Sequence, residues 1–201
     1  MWEKAYRSGL RFGGLADVNW LLAFLHPKMR VLEIGCGNGK TYLALRKHGI
    51  LVTGIDISPE ALELLSQNAM MLGIEPTVEQ GDARKLQFLD GSFDAVIGIH
   101  LLDAMETETD IMAVVSEVSR VLKENGLFLC EVFCVEDFRN GRGKKVYENT
   151  YMRGGVLTTY FEEKKLIEFL SDLFEVEIWH HRMQRSYGLR CSLRARCVKK
   201  S

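Results

Sequence analysis

Three glycines at alternate positions, Gly35, Gly37 and Gly39, follow the short apolar run Val31 to Ile34 and precede a helical pattern. Glycine lacks a Cβ, so a loop built this way turns sharply and lets a ligand approach the backbone. Two carboxylates fall at the ends of the next two strand-like runs: Asp56, 21 positions after Gly35, and Asp82 in Gln80-Gly81-Asp82-Ala83. A carboxylate at the first place can accept both ribose hydroxyls of an adenosine. One at the second can accept from an exocyclic amine, with Ala83 leaving room for a ring. His100 follows a fourth run, Phe93 to Ile99, and is the candidate base if an acceptor must lose a proton. Its alternative is to supply only backbone there. A nicotinamide fingerprint wants glycine at the first, third and sixth places, but Lys40 occupies the sixth.

These residues need a scaffold, and the chain reads as one. Met29 to Ile34, Ile50 to Ile57, Thr77 to Gln80, Phe93 to Ile99 and Leu127 to Phe133 read as strands. Helices Thr41–His48, Pro59–Met71 and Glu108–Lys123 lie among them, with Ser58 before Pro59 as a cap and Asn125-Gly126 as a stop. Alternation at this spacing predicts a parallel sheet. An earlier helix covers Asp17 to Leu25. Val135 to Thr159 breaks the pattern and reads as a loop or lid with Tyr147, Tyr151 and Tyr160 at its margins. A helix from Glu162 to Leu173 and an antiparallel hairpin, Phe174–Met183 and Leu189–Val198, complete an α/β, Rossmann-like, doubly wound sheet of seven strands with the last antiparallel. The expected organisation is a single domain: 1–27 an N-terminal cap segment and helix, 28–134 a cofactor-binding core, 135–160 a lid, and 161–201 the closing helix and hairpin.

The order Glu33-x-Gly35-x-Gly37-x-Gly39, Asp56-Ile57-Ser58, Gly81-Asp82-Ala83 and Phe93-Asp94-Ala95-Val96, then Arg120 to Gly126 before the fifth strand, resembles the class I S-adenosylmethionine (SAM)-dependent methyltransferase family over residues 28 to 134. The resemblance implies SAM as methyl donor and S-adenosylhomocysteine (SAH) as product. It implies that Glu33, Gly35, Cys36, Gly37 and Gly39 lie against the methionine and ribose, that Asp56 and Ile57 hold the ribose, and that Asp82 and Ala83 contact the adenine. Ile99 and His100 would flank the sulfonium. The leader Trp2…Tyr6…Arg11-Phe12 is similar to the aromatic segment that covers SAM in small-molecule members, which adds Tyr6 and Arg11.

Composition narrows the partners. The 201 residues carry a net charge of −1, with 47% hydrophobic and 26% charged residues, ordinary for a globular protein. Charge is uneven: residues 139–201 hold 14 Lys+Arg against 7 Asp+Glu, and the first 138 hold 12 against 20. The basic third could face an anionic substrate or RNA, or only solvent, its arginines scattered along a strand without forming a groove. A small-molecule acceptor is the favoured expectation. An RNA or protein methyltransferase is the first alternative, and a SAM-binding protein without catalysis the second. No run reaches the roughly 20 apolar residues of a membrane span. Five cysteines without a Cys-x-x-Cys pair read as small buried hydrophobes of a reducing, cytoplasmic compartment, with no metal site or disulfide expected. His180 and His181, adjacent in a strand, point to opposite faces.

Overall fold

The computed structural model describes residues 6–7 and 16–200. Five strands form the parallel part of the sheet: β1 (Arg30–Ile34), β2 (Leu51–Asp56), β3 (Val78–Gln80), β4 (Phe93–Ile99) and β5 (Leu122–Phe133). The helices between them are α2 (Lys40–Lys47), α3 (Pro59–Met71) and α4 (Glu108–Val121); α1 (Asn19–Leu22) precedes β1. Three short strands follow, β6 (Lys144–Tyr147), β7 (Thr150–Arg153) and β8 (Val156–Thr159). Then come α5 (Glu163–Leu170), β9 (Phe174–Arg185) and β10 (Gly188–Lys199). The main sheet has the order β3-β2-β1-β4-β5-β10-β9, and β10 alone runs against its neighbours.

Strand residues alternate between two cores, as a sheet covered on both faces requires. Leu32, Ile34, Val96, Phe128 and Cys130 pack with Val114 and Val118 of α4 and Leu166 and Leu170 of α5. Val31, Ala95, Ile97 and Leu129 pack with Leu21 of α1, Tyr42 and Leu45 of α2 and Leu65 of α3. Glu131 and Phe133, continuing the alternation from Leu129, therefore emerge on the second face beyond the packed helices. Local signals explain the helix starts: the Ser58 hydroxyl accepts from the Ala61 N–H at 3.3 Å, and Thr107 does the same for Asp110 at 3.1 Å.

Two expectations need correction. The stretch expected as a loop, 135–159, holds a three-stranded antiparallel sheet, β6-β7-β8. Asn149 and the pair Gly154-Gly155 take positive φ and supply its turns, while four-residue strands are too short to show an alternating apolar pattern. The expectation of five unpaired cysteines fails too: Cys134 and Cys191 form a disulfide with Cα atoms 5.6 Å apart. They are 57 positions apart in sequence, and only the β5–β10 register, which places Ser192 opposite Phe133, makes them neighbours. Cys36, Cys130 and Cys197 are buried thiols, as the sequence implies.

Candidate active site

The strands β1, β2, β3 and β4 all end at one cavity of about 690 Å³. That lies within the usual roughly 300–1,000 Å³ of ligand pockets. The glycine loop forms one wall. Gly37 takes φ 53°, and a Cβ there would stand 2.5 Å from the Tyr6 hydroxyl, so glycine is needed twice over. Tyr6 is buried against the loop and lines the cavity, and Arg7 beside it pairs with Glu60 at the start of α3. Arg11, with Trp2 and Phe12, lies outside the described residues.

Asp56 ties the wall together. One carboxylate oxygen accepts the Gly37 N–H at 2.8 Å and the other the Ser58 N–H at 2.9 Å. Burial raises its pKa, partly offset by those backbone donors. The side chain thus fixes the loop to the start of α3 while facing the cavity. Glu33 sits below, 3% exposed, with Oε2 lacking any hydrogen-bond partner. Burial, with the nearby Asp56 charge, pushes its carboxyl up to about 8. An orphaned buried carboxyl oxygen beside the loop is a place for a cationic or donor group. Cys36 contributes backbone: its sulfur packs against Gly54, and burial raises the thiol pKa far out of the physiological range.

Asp82 and Ala83 reach the cavity from the tip of β3, and Ile57, half exposed, lips it. The Asp82 carboxylate is forked by Arg84, with contacts of 2.6 to 3.2 Å, and that ion pair lowers its pKa. Arg84 also bonds Asp110 at 2.7 Å. An incoming amine at Asp82 therefore shares the carboxylate with Arg84.

The opposite wall carries the side chains that the sequence pattern did not assemble. His100 takes φ 54°, a region costing about 1–3 kcal/mol for a residue with a Cβ and concentrated at functional sites. Its Nδ1 is 2.9 Å from Oδ2 of Asp103, which is 2% exposed and also accepts the Phe133 N–H at 3.0 Å. A carboxylate on Nδ1 selects the tautomer whose Nε2 accepts a proton. The His100 ring stacks on Phe133, centroids 3.8 Å apart. Arg139 lies 4.0 Å from the Phe133 centroid, its guanidinium forked by buried Asp137. Asp103 and Phe133 escaped the sequence reading. The only trace was an acid three residues past His100, on a 3-10 turn (Leu102–Ala104) that no periodicity marks.

Further along this wall, Glu131 accepts from Ser192 Oγ at 2.6 Å and Arg194 Nε at 2.9 Å, and Arg194 reaches Asp17 at 2.9 Å. Arg190 and Arg194 do line the cavity, against the expectation of arginines scattered without a groove. His181 lines it too, whereas His180 faces Glu136 and Glu163 on the other side of the strand. The three tyrosines at the margins of 135–159 are not among its lining residues: Tyr160 packs on Phe133, Tyr151 on Tyr160, and Tyr147 is exposed. Cys134, Glu136 and Cys191 lie close enough to hold a metal, but the sulfurs are bonded to each other and Glu136 is forked by Arg182.

A strand, glycine loop and helix, with acids on the two adjoining strand tips of a sheet in this order, make a Rossmann-like fold with a site suited to a nucleoside-bearing ligand. Residues 31–126 match the methyltransferase domain family. The chain is 36% identical over 115 residues to a putative methyltransferase of Bacillus subtilis, covering 56% of this chain and 46% of that protein. It is 40% identical over 117 residues to a phosphatidylethanolamine N-methyltransferase of Cereibacter sphaeroides, covering 57% and 53%. The chain spans about half the length of these curated relatives. A SAM-dependent methyltransferase of Methanosarcina mazei shares the fold with a TM-score of 0.80 at 24% identity, over 90% of this chain and 97% of that one. Residues 31–126 thus match a methyltransferase domain, and the chain as a whole shares its fold with SAM-dependent methyltransferases. Among the described residues no helix is long and apolar enough to cross a membrane.

Proposed function

We propose that this chain transfers a methyl group from SAM to a small-molecule acceptor. The observation that carries the reading is the shared cavity: the glycine loop and Asp56 form one wall, and the His100–Asp103 pair stands on the other. When bound, SAM supplies a methyl carbon already activated by its sulfonium. The protein's task is therefore to hold and orient, and aligned reactants can gain about 7–11 kcal/mol from proximity alone. Asp56 accepts from the ribose hydroxyls, Asp82 and Ala83 meet the adenine, and the loop Gly35–Gly39 lies against the methionine and ribose. Glu33 offers its orphaned Oε2 to the cationic end of the amino acid. Ile99 and His100 border the reacting carbon.

His100 is the base. Asp103 holds Nδ1, so Nε2 takes the proton from the acceptor as the new bond forms. Tyr6, buried against the glycine loop, covers the donor and excludes water. Calorimetry with SAH and with NAD tests the reading. The expected result is one SAH bound per chain and no heat with NAD; NAD binding alone overturns it.

A further inference from the structure

We infer that the acceptor is a small aromatic hydroxy acid, its anion held by Arg185 and Arg190 at the outer end of the β9–β10 hairpin; this rests on the methyltransferase reading. Strand register makes the case. Phe133 stands opposite Ser192, and Ser192 opposite His181, so all three share one face. Two residues further out, Arg190 stands opposite Met183, with Arg185 beyond. This row lies about 7 Å from the row of Phe133, on which His100 stacks. That is about the span from the hydroxyl to the carboxylate of a small aromatic acid. The face between is floored by Phe133 and Met183, with Ser192 and His181 beside them.

The charges on this face do not balance. Glu131 and Asp17 are both satisfied by Arg194. Asp137 is the single carboxylate between Arg139 and Arg190. Burial pushes Asp137 up, but the Arg139 fork and backbone donors outweigh it and hold it below the usual carboxylate range. Arg185 makes no ion pair with any described residue; its guanidinium meets only the Met183 sulfur at 3.4 Å. Arginine's planar fork suits a carboxylate. The hairpin end is fixed, since Phe138 packs against Gly188 and donates its N–H to Leu189 at 2.8 Å. In the reaction the acceptor oxygen bonds the methyl carbon as the carbon–sulfur bond breaks. The electron pair stays on sulfur, and the hydroxyl proton passes to Nε2 of His100.

The test titrates SAH-loaded protein with 4-hydroxybenzoate and 3-(4-hydroxyphenyl)propionate, each against its amide. The expected result is that at least one acid binds about 10–100-fold tighter than its amide. Arg185→Ala should erase the preference, Arg185→Lys should keep part of it, and SAH affinity should stay constant. Amides binding as well as acids, a preference that survives Arg185→Ala, or no acid binding to protein that does bind SAH would each overturn the proposal. Failure of the wild type to bind SAH is a separate result and overturns the methyltransferase reading itself.

Discussion

The two walls of the cavity follow opposite electrostatic plans. The wall made by β1, β2 and β3 offers carboxylates: Glu33, Asp56 and Asp82, with Glu106 and Asp110 nearby. The wall made by β5, β9 and β10, with His100 after β4 beside it, offers Arg185, Arg190, Arg194 and His181, Arg190 and Arg194 being paired with Asp137, Glu131 and Asp17. Neither plan is a scatter of surface charge, because Asp56, Asp103 and Arg194 are all nearly buried and hydrogen-bonded. The acidic wall suits a donor that is cationic and rich in hydroxyls. On the proposed function, an anionic acceptor would meet the basic wall and the donor the acidic one. The walls also differ in how they are stapled. The acidic wall is held by backbone donors to Asp56, and the basic wall by the Cys134–Cys191 disulfide at the end of β5.

If the walls have separate tasks, substitutions should separate too. The largest effect is expected from His100→Asn, chosen because asparagine tolerates the φ of 54°. It should lower kcat by about 10²–10⁴-fold while SAH affinity by calorimetry stays nearly unchanged. An equal loss in both would merge the two walls. Asp56→Ala should do the reverse, weakening SAH by about 100-fold, since it also strands the buried Gly37 and Ser58 N–H groups.

Cys191→Ser comes next. Losing a cross-link between residues 57 positions apart should cost about 2–4 kcal/mol in denaturant unfolding. Acceptor binding should suffer more than SAH binding, because the disulfide staples only the basic wall. The smallest effect concerns pH. In the folded protein Glu33 titrates near 8, above its ordinary 4.5. Between those values the folded state holds a proton that the unfolded chain has released, so Glu33 makes stability fall as pH rises from about 5 to 8. Glu33→Gln should flatten that slope in thermal unfolding and melt above the wild type at pH 8, at some cost in SAH affinity.

The same division governs how much the sequence reveals. The acidic wall is legible because its parts are local: a glycine loop directly after β1, and acids at the ends of β2 and β3. The parallel order through β5 and the closing hairpin follow from the spacing of apolar runs. The basic wall is assembled by register. Phe133, Ser192 and His181 are far apart in the chain and meet only across three strands. Asp103 becomes meaningful once a 3-10 turn folds it back under His100. Arg190 and Arg194 alternate as a strand predicts, but alternation leaves open which face meets a cavity. The disulfide and the small sheet over 144–159 are hidden for the same reason.

The central claim is that the loop Gly35–Gly39 and the acids of β2 and β3 hold an adenosyl group whose sulfur points toward His100. A crystal structure with SAH tests it most directly. The account predicts the ribose hydroxyls within hydrogen-bond distance of Asp56, the adenine against Ala83, and the sulfur beside Ile99 and His100. An adenosyl group bound away from Asp56, or with its sulfur turned from His100, would contradict it.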